Sequence, residues 1–259
     1  MRGRIMIRSY GSGRPIETES LKSALSLARF SAPIISVVGA GGKTTVIRKL
    51  AREYEEEGQP VIVTTTTHMW QPDEGFYLRS PDLELLYQML KHKRQVWAGY
   101  PEPDGKMSAF PEAFLEAVRM LAVPVIIEAD GAKGLPVKVP DAHEPVLWGK
   151  TMVLLGVAGL DAVGGRIEDV CHRPEQASAF LGKGVEDILE CEDIVKIGLS
   201  DMGMKKSMDP FMKFYIVLNK ADNAQRVNIG ERIAGLFAGK GFDNVVLTSG
   251  LGGSYECTD

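Results

Sequence analysis

The segment Gly39-Ala40-Gly41-Gly42-Lys43-Thr44-Thr45 gathers residue types that hold phosphate. Glycines let a backbone wrap close to oxygen atoms, a lysine brings a point charge, and a hydroxyl can join a hard cation. The usual spacing is a glycine, four free residues, then Gly-Lys-Ser/Thr. Counted back from Gly42-Lys43-Thr44, that first glycine belongs at position 37, where Val37 stands, so a loop beginning at Gly39 is two residues short. The flanks still suit phosphate. The buried-strand pattern PIISVV runs into the glycines and TTVIRKLAREYEEEG runs out as a helix. The helix N-terminus supplies unpaired N–H groups and the positive end of a dipole. In this reading Gly39, Ala40, Gly41, Gly42, Lys43, Thr44 and Thr45 bind a nucleotide, with Lys43 beside the β- and γ-phosphates and Thr44 on Mg²⁺. The plainer alternative is a helix start capped by Thr44 with Lys43 in solvent. It suits a bare Gly-Lys pair better than this strand, loop and helix in sequence.

A second motif addresses the base. Asn219-Lys220-Ala221-Asp222 directly follows the apolar run FYIVLN. An aspartate there can accept from the N1–H and the exocyclic amine of guanine, a donor pair adenine lacks, so GTP is expected over ATP. The Lys220 stem can pack on the base plane, Asn219 can tie the loop to its neighbours, and Ser249 in VVLTSG is a further base contact. The alternative is a strand-end turn in which Asp222 or Asn223 caps the next helix.

Carboxylates supply the rest. PVIIEADG sets Glu128 and Asp130 at the end of an apolar run, where α/β sheets place ligands. One could hold Mg²⁺ with Thr44 while the other orients a water, which makes Lys43, Glu128 and Asp130 catalytic candidates. Arg173 is a fourth, as a source of charge for a γ-phosphate. Thr66, Thr67 and His68 end another probable core strand on the same edge, and Lys133, Lys138, His143, Glu144 and His172 lie in polar segments that could join the site. Cys171-His172 could bind a soft metal or chalcogen; a solvated loop is the competing reading.

The elements that must position these residues are legible from periodicity. Near-continuous Val/Ile/Leu runs at 33–39, 60–67, 95–99, 124–130, 151–159, 214–219 and 244–250 suggest strands buried on both faces of a parallel sheet. Helices are expected over 44–57, 81–93, 112–121 and 229–238. The fold class is therefore α/β, a mostly parallel central sheet flanked by helices. A single domain is expected over 1–259, with a helical lead-in over about 1–32 and a mostly helical insertion over about 160–212. Residues 70–82 and 100–111 read as loops.

Composition narrows the partners. Across 259 residues the net charge is −4, so a whole-protein basic field for nucleic acid is absent. The longest apolar runs are too short to span a bilayer. Cys171, Cys191 and Cys257 are odd in number and widely spaced, which points away from a disulfide framework and toward a reducing cytoplasm.

Taken together, GAGGKTT, VTTTTHM, IIEADGAKGLPVK, HEP, GLDAVG, HRPE and LNKAD occur in this order, and the set resembles the YqeC family from about residue 34 onward. That family is described as probable accessory proteins of selenium-dependent molybdenum hydroxylases. The short loop also resembles that of Mur-type amino-acid ligases, which bind ATP. Glu128-Ala129-Asp130-Gly131 resembles a motif of the SIMIBI branch of phosphate-loop NTPases, which includes metallocentre GTPases. The resemblance implies a phosphate-loop NTPase fold, GTP or ATP with Mg²⁺, a molybdenum hydroxylase or its maturation machinery as partner, and a homodimer as a candidate assembly. The leading expectation is a Mg²⁺-dependent NTPase with slow hydrolysis that serves as a maturation factor. An ATP-dependent small-molecule kinase or ligase, and a non-catalytic nucleotide-sensing module, are the alternatives.

Overall fold

The computed structural model describes residues 6–11, 15–72 and 77–249. Cys257 and the tail from Gly250 lie outside the described residues. Among those described, ten strands form one sheet. From one edge to the other the order is Ile16–Thr18, Met6–Tyr10, Val245–Ser249, Lys213–Asn219, Val153–Gly159, Ile34–Gly39, Val125–Glu128, Val61–Thr65, Gln95–Ala98 and Tyr77–Leu78. From Val245–Ser249 across to Tyr77–Leu78 every neighbouring pair is parallel. The fold is α/β, with a large, mostly parallel central sheet flanked by helices.

Alternation along the central strands feeds two faces. Ile35 and Val37 join one cluster, built with Val46, Ile47, Leu50, Ala51 and Tyr54 of helix Lys43–Glu56 and with Leu21, Leu25 and Leu27 of the N-terminal segment. The spacing of those helix residues makes one apolar stripe, and each large side chain fully buried contributes roughly 1.5–3 kcal/mol. Val38, on the opposite face, joins Leu154, Ile216 and Leu218 beneath helices Pro174–Leu181, Cys191–Leu199 and Ala224–Ala238. Ile34, Ile62 and Ile127 lie under helices Leu83–Lys93 and Glu112–Arg119. A sheet covered on both sides needs apolar residues at successive positions, and this is why the runs are continuous.

Three expectations need correction. The lead-in is not simply helical. Met6–Tyr10 pairs antiparallel with Val245–Ser249, and Ile16–Thr18 pairs antiparallel outside it. Its helix is a single turn, Leu21–Ala24, because Ser26 takes a left-handed φ of 52° and a 3-10 turn, Leu27–Arg29, follows. The turn is held from outside, as Glu53 of the next helix accepts from the Leu21 and Lys22 amides at 2.8 Å each. Second, part of the segments read as loops is strand. His68–Trp70, Lys106–Ser108 and Tyr100–Pro101 form a small antiparallel sheet, and Tyr77–Leu78 edges the large one. Third, the last helix begins at Ala224 rather than Ile229, since the Asn223 side chain caps it by accepting from the Arg226 amide.

The consequence for function is positional. Asn219, Gly159, Gly39, Glu128 and Thr65 end five adjacent parallel strands. The carboxyl edge of an open α/β sheet is where ligands bind.

Candidate functional site

The loop Gly39–Thr45 is held from three sides. Gly39, Gly41 and Gly42 have φ of 91°, 80° and 112°, and each approaches neighbouring atoms closely. A Cβ on Gly41 would sit 2.1 Å from the Gly159 nitrogen, and one on Gly42 would sit 2.4 Å from the Asn219 amide nitrogen. Glycine is required here by contact as well as by φ. Asn219 is the tie. Its Nδ2 donates to the Gly41 carbonyl at 2.9 Å, and its Oδ1 accepts from the Thr248 hydroxyl at 2.9 Å. One buried side chain thus joins the loop to the ends of two later strands, as the motif suggested.

The loop's amides divide into two sets. Gly39 donates to Asp130 Oδ2 at 3.0 Å, Ala40 to the Val157 carbonyl at 2.9 Å and Gly41 to the Leu135 carbonyl at 3.0 Å. These three donors are spent inside the protein. Gly42 is the N-cap of helix Lys43–Glu56 and provides no side-chain cap, and the Val46 amide donates to its carbonyl at 3.0 Å, so among the described residues the open helix-start donors are the amides of Lys43, Thr44 and Thr45.

Lys43 is buried and lies on the acidic pair. Its Nζ donates to the Gly39 carbonyl at 2.8 Å and stands 3.2 Å from Asp130 Oδ1 and 3.8 Å from Glu128 Oε1. Asp130 Oδ1 finds no partner of hydrogen-bonding geometry, so its contact with Lys43 is an ion pair only. Thr44 Oγ1 donates to Glu128 Oε2 at 3.0 Å. Burial raises the Glu128 carboxyl above its ordinary value, while Lys43 and the Thr44 bond pull it back down.

Asp130 is fully buried between two lysines. Lys138, also fully buried, lies 3.3 Å from Asp130 Oδ2 and donates to Glu144 Oε2 at 2.7 Å and to the Gly131 carbonyl at 2.6 Å. Arg173 then grips both Glu144 oxygens, at 2.7 and 3.3 Å, and lies 3.6 Å from Asp141. Burial alone would raise Glu144, yet the Arg173 and Lys138 bonds outweigh it and bring its carboxyl down to about 2. The result is a chain of alternating charge: Lys43, Asp130, Lys138, Glu144, Arg173. Sequence reasoning named every member but not their connection.

The other named residues scatter around this core. Lys220 Nζ holds Asp161 at 2.7 Å, and Asp222, half-exposed, stands 3.7 Å from Arg226. Asp161, in the GLDAVG motif, was not picked out from sequence as a site residue. Ser249 accepts from the Met6 amide at 3.3 Å, which ties it to the edge strand. Thr66 donates to the Val146 carbonyl, and the Thr67 amide donates to Thr65. His68 is exposed in the small antiparallel sheet, and Lys133 and His143 are exposed. His172 is buried, and burial with the nearby Arg173 and Lys138 charges lowers its imidazole below the ordinary value. Burial pushes the Cys171 thiol up to about 12, which opposes the thiolate that a soft metal or chalcogen needs. Among the described residues no three His, Cys, Asp or Glu side chains gather as a metal set, and no helix is long and apolar enough to cross a membrane.

Comparison with known proteins places this edge in a family. A model described as "YqeC protein" matches residues 35–175, more than half of the chain. A YqeC protein of Escherichia coli (strain K12) is 32% identical over 181 residues, covering 68% of this chain and 71% of that relative. The chain belongs to the YqeC family. The stretch matched by the YqeC model takes in the glycine loop, Glu128, Asp130 and the whole charged chain as far as Arg173, and it stops before Asn219 and Asp222. The loop and its buried charges therefore lie inside the family-defining segment, and the second motif lies beyond it.

Proposed function

We propose that this protein binds a nucleoside triphosphate with Mg²⁺ at the Gly39–Thr45 loop, as a phosphate-loop NTPase of the SIMIBI type. The observation that carries this reading is the convergence on one loop of open helix-start amides, the buried Lys43 ammonium and the Thr44–Glu128 hydroxyl–carboxylate pair. Positive groups and open donors at a helix start suit phosphate oxygens. A hydroxyl and a carboxylate set 3.0 Å apart are oxygen donors of the kind a hard cation takes, so these residues fit Mg²⁺. Thr44 and Glu128 would hold it, and when bound it would neutralise charge on the phosphates. Asp130, already flanked by two lysines and accepting from the Gly39 amide, is better suited to positioning Lys43 than to a cation.

GTP is favoured over ATP. The Asn219 tie to Gly41 supports this preference, because it sets Lys220 and Asp222 on the loop's own edge of the sheet. Hydrolysis by the chain alone is slow in this reading. Arg173, the candidate source of transition-state charge, is engaged by Glu144 and Asp141, so a partner or a second copy would complete the site. Resemblance to the YqeC family adds the biological role: an accessory factor in maturation of a selenium-dependent molybdenum hydroxylase.

Calorimetric titration with Mg-GTP and Mg-ATP, on wild type and Asp222→Ala, tests the base assignment. Tight GTP binding that weakens in the variant, with ATP unchanged, is expected. Equal binding of both nucleotides, untouched by the variant, would reduce Asp222 to a helix-side partner of Arg226.

A further inference from the structure

We infer that Lys138 is a positioning residue that frees Lys43 to engage phosphate. This rests on the nucleotide reading above and assigns a job to a buried lysine that the reading itself leaves idle. Lys138 is fully buried, and its ammonium is surrounded by Asp130, Glu144 and the Gly131 carbonyl.

Its effect passes through Asp130. That carboxylate is itself fully buried and lies between two ammonium groups, 3.2 Å from Lys43 and 3.3 Å from Lys138. A buried charge left without a partner is strongly unfavourable. When Lys43 turns from Asp130 toward a phosphate oxygen, Lys138 and the Gly39 amide remain on Asp130 Oδ2. Oδ1 then gives up an ion pair but no hydrogen bond, and the carboxylate keeps one ammonium and one amide on Oδ2, which lowers the cost of the turn. Without Lys138, Lys43 becomes the one ammonium on Asp130, and phosphate has to compete with it. Glu144, gripped by Arg173, holds Lys138 from the far side and keeps it in place.

The test compares Mg-GTP and GMP by calorimetry on the full chain. GMP does not carry the β- and γ-phosphates that Lys43 would meet, so it reports the rest of the site. Lys138→Met is expected to weaken Mg-GTP about tenfold while GMP binding holds. The double variant Asp130→Asn with Lys138→Met removes the competing carboxylate and should regain Mg-GTP affinity relative to Lys138→Met alone. Removing both members of a buried pair is also better tolerated than removing one. Near-UV circular dichroism checks that each variant is folded, and Lys138→Gln replaces Lys138→Met if the latter does not fold. Unchanged Mg-GTP affinity, a parallel loss for GMP, or a double variant no better than the single would overturn the role of Lys138. Failure of wild type to bind either ligand would instead overturn the nucleotide reading.

Discussion

The two halves of the carboxyl edge are built differently. At Gly39–Thr45 the charged groups are buried and interlocked: Lys43, Asp130, Lys138 and Glu128 are all under a tenth exposed. At Lys220–Asp222 the ion pairs to Asp161 and Arg226 are a quarter to a half exposed. Low dielectric strengthens contacts in the first half, and water screens those in the second. In the proposed function the first half holds phosphate, whose charge is common to all nucleotides, and the second half chooses the base. A rigid, costly site suits the shared part of a ligand, and a looser one suits discrimination. Asn219 belongs to both, as a buried residue at the head of the exposed motif.

Variants that break this contrast should differ in size. Gly41→Ala is expected to have the largest effect, since its Cβ would collide with backbone at Gly159 and Pro136 rather than with a side chain that can turn away. We expect a loss of more than about 4 kcal/mol, in the range reserved for strained backbone and overpacked cores, read as a drop in the urea midpoint. Glu144→Gln should have a middling and pH-dependent effect. The folded carboxyl sits at about 2, below its ordinary 4.5, so its contribution is present above the unfolded value and is lost as pH falls between the two. Wild type should therefore exceed Glu144→Gln in stability at pH 7, and the gap should narrow below pH 4.5 and close only near pH 2. A constant gap would mean the Arg173 and Lys138 bonds do not set it. His172 adds to acid sensitivity at higher pH, because its lowered pKa favours the neutral ring and protonation below the ordinary 6.5 opposes folding. Arg226→Ala should be smallest, within about 0.5 kcal/mol, as exposed i,i+4 pairs contribute little; a larger loss would show that the Asp222 half is more rigid than its exposure suggests.

Much of this was legible in the chain. The seven expected strands all occur, because a strand buried on both faces reads as an unbroken apolar run. The loop was legible because Gly39, Gly41 and Gly42 precede a Lys-Thr pair between a strand and a helix. The N-terminal edge was not. Met6–Tyr10 buries only Ile7 completely, so its pattern carries almost no period, and its strand character comes from pairing with Val245–Ser249 far along the chain. The strands His68–Trp70 and Lys106–Ser108 are three residues each, too short for alternation to register. At the site, Lys138 reads from sequence as a basic loop residue. Its burial depends on the meeting of Asp130, Glu144 and Arg173, and no local spacing encodes that.

The central claim is that Lys43 meets phosphate, and its most direct test is the affinity of Lys43→Ala for Mg-GTP beside wild type, with thermal denaturation as the check on folding. The account predicts a loss of about a hundredfold or more, as expected for a charge-assisted contact to phosphate, in a variant that stays folded. Wild-type affinity in a folded Lys43→Ala would contradict it, and the glycine loop would then be a tight strand-to-helix turn and nothing more.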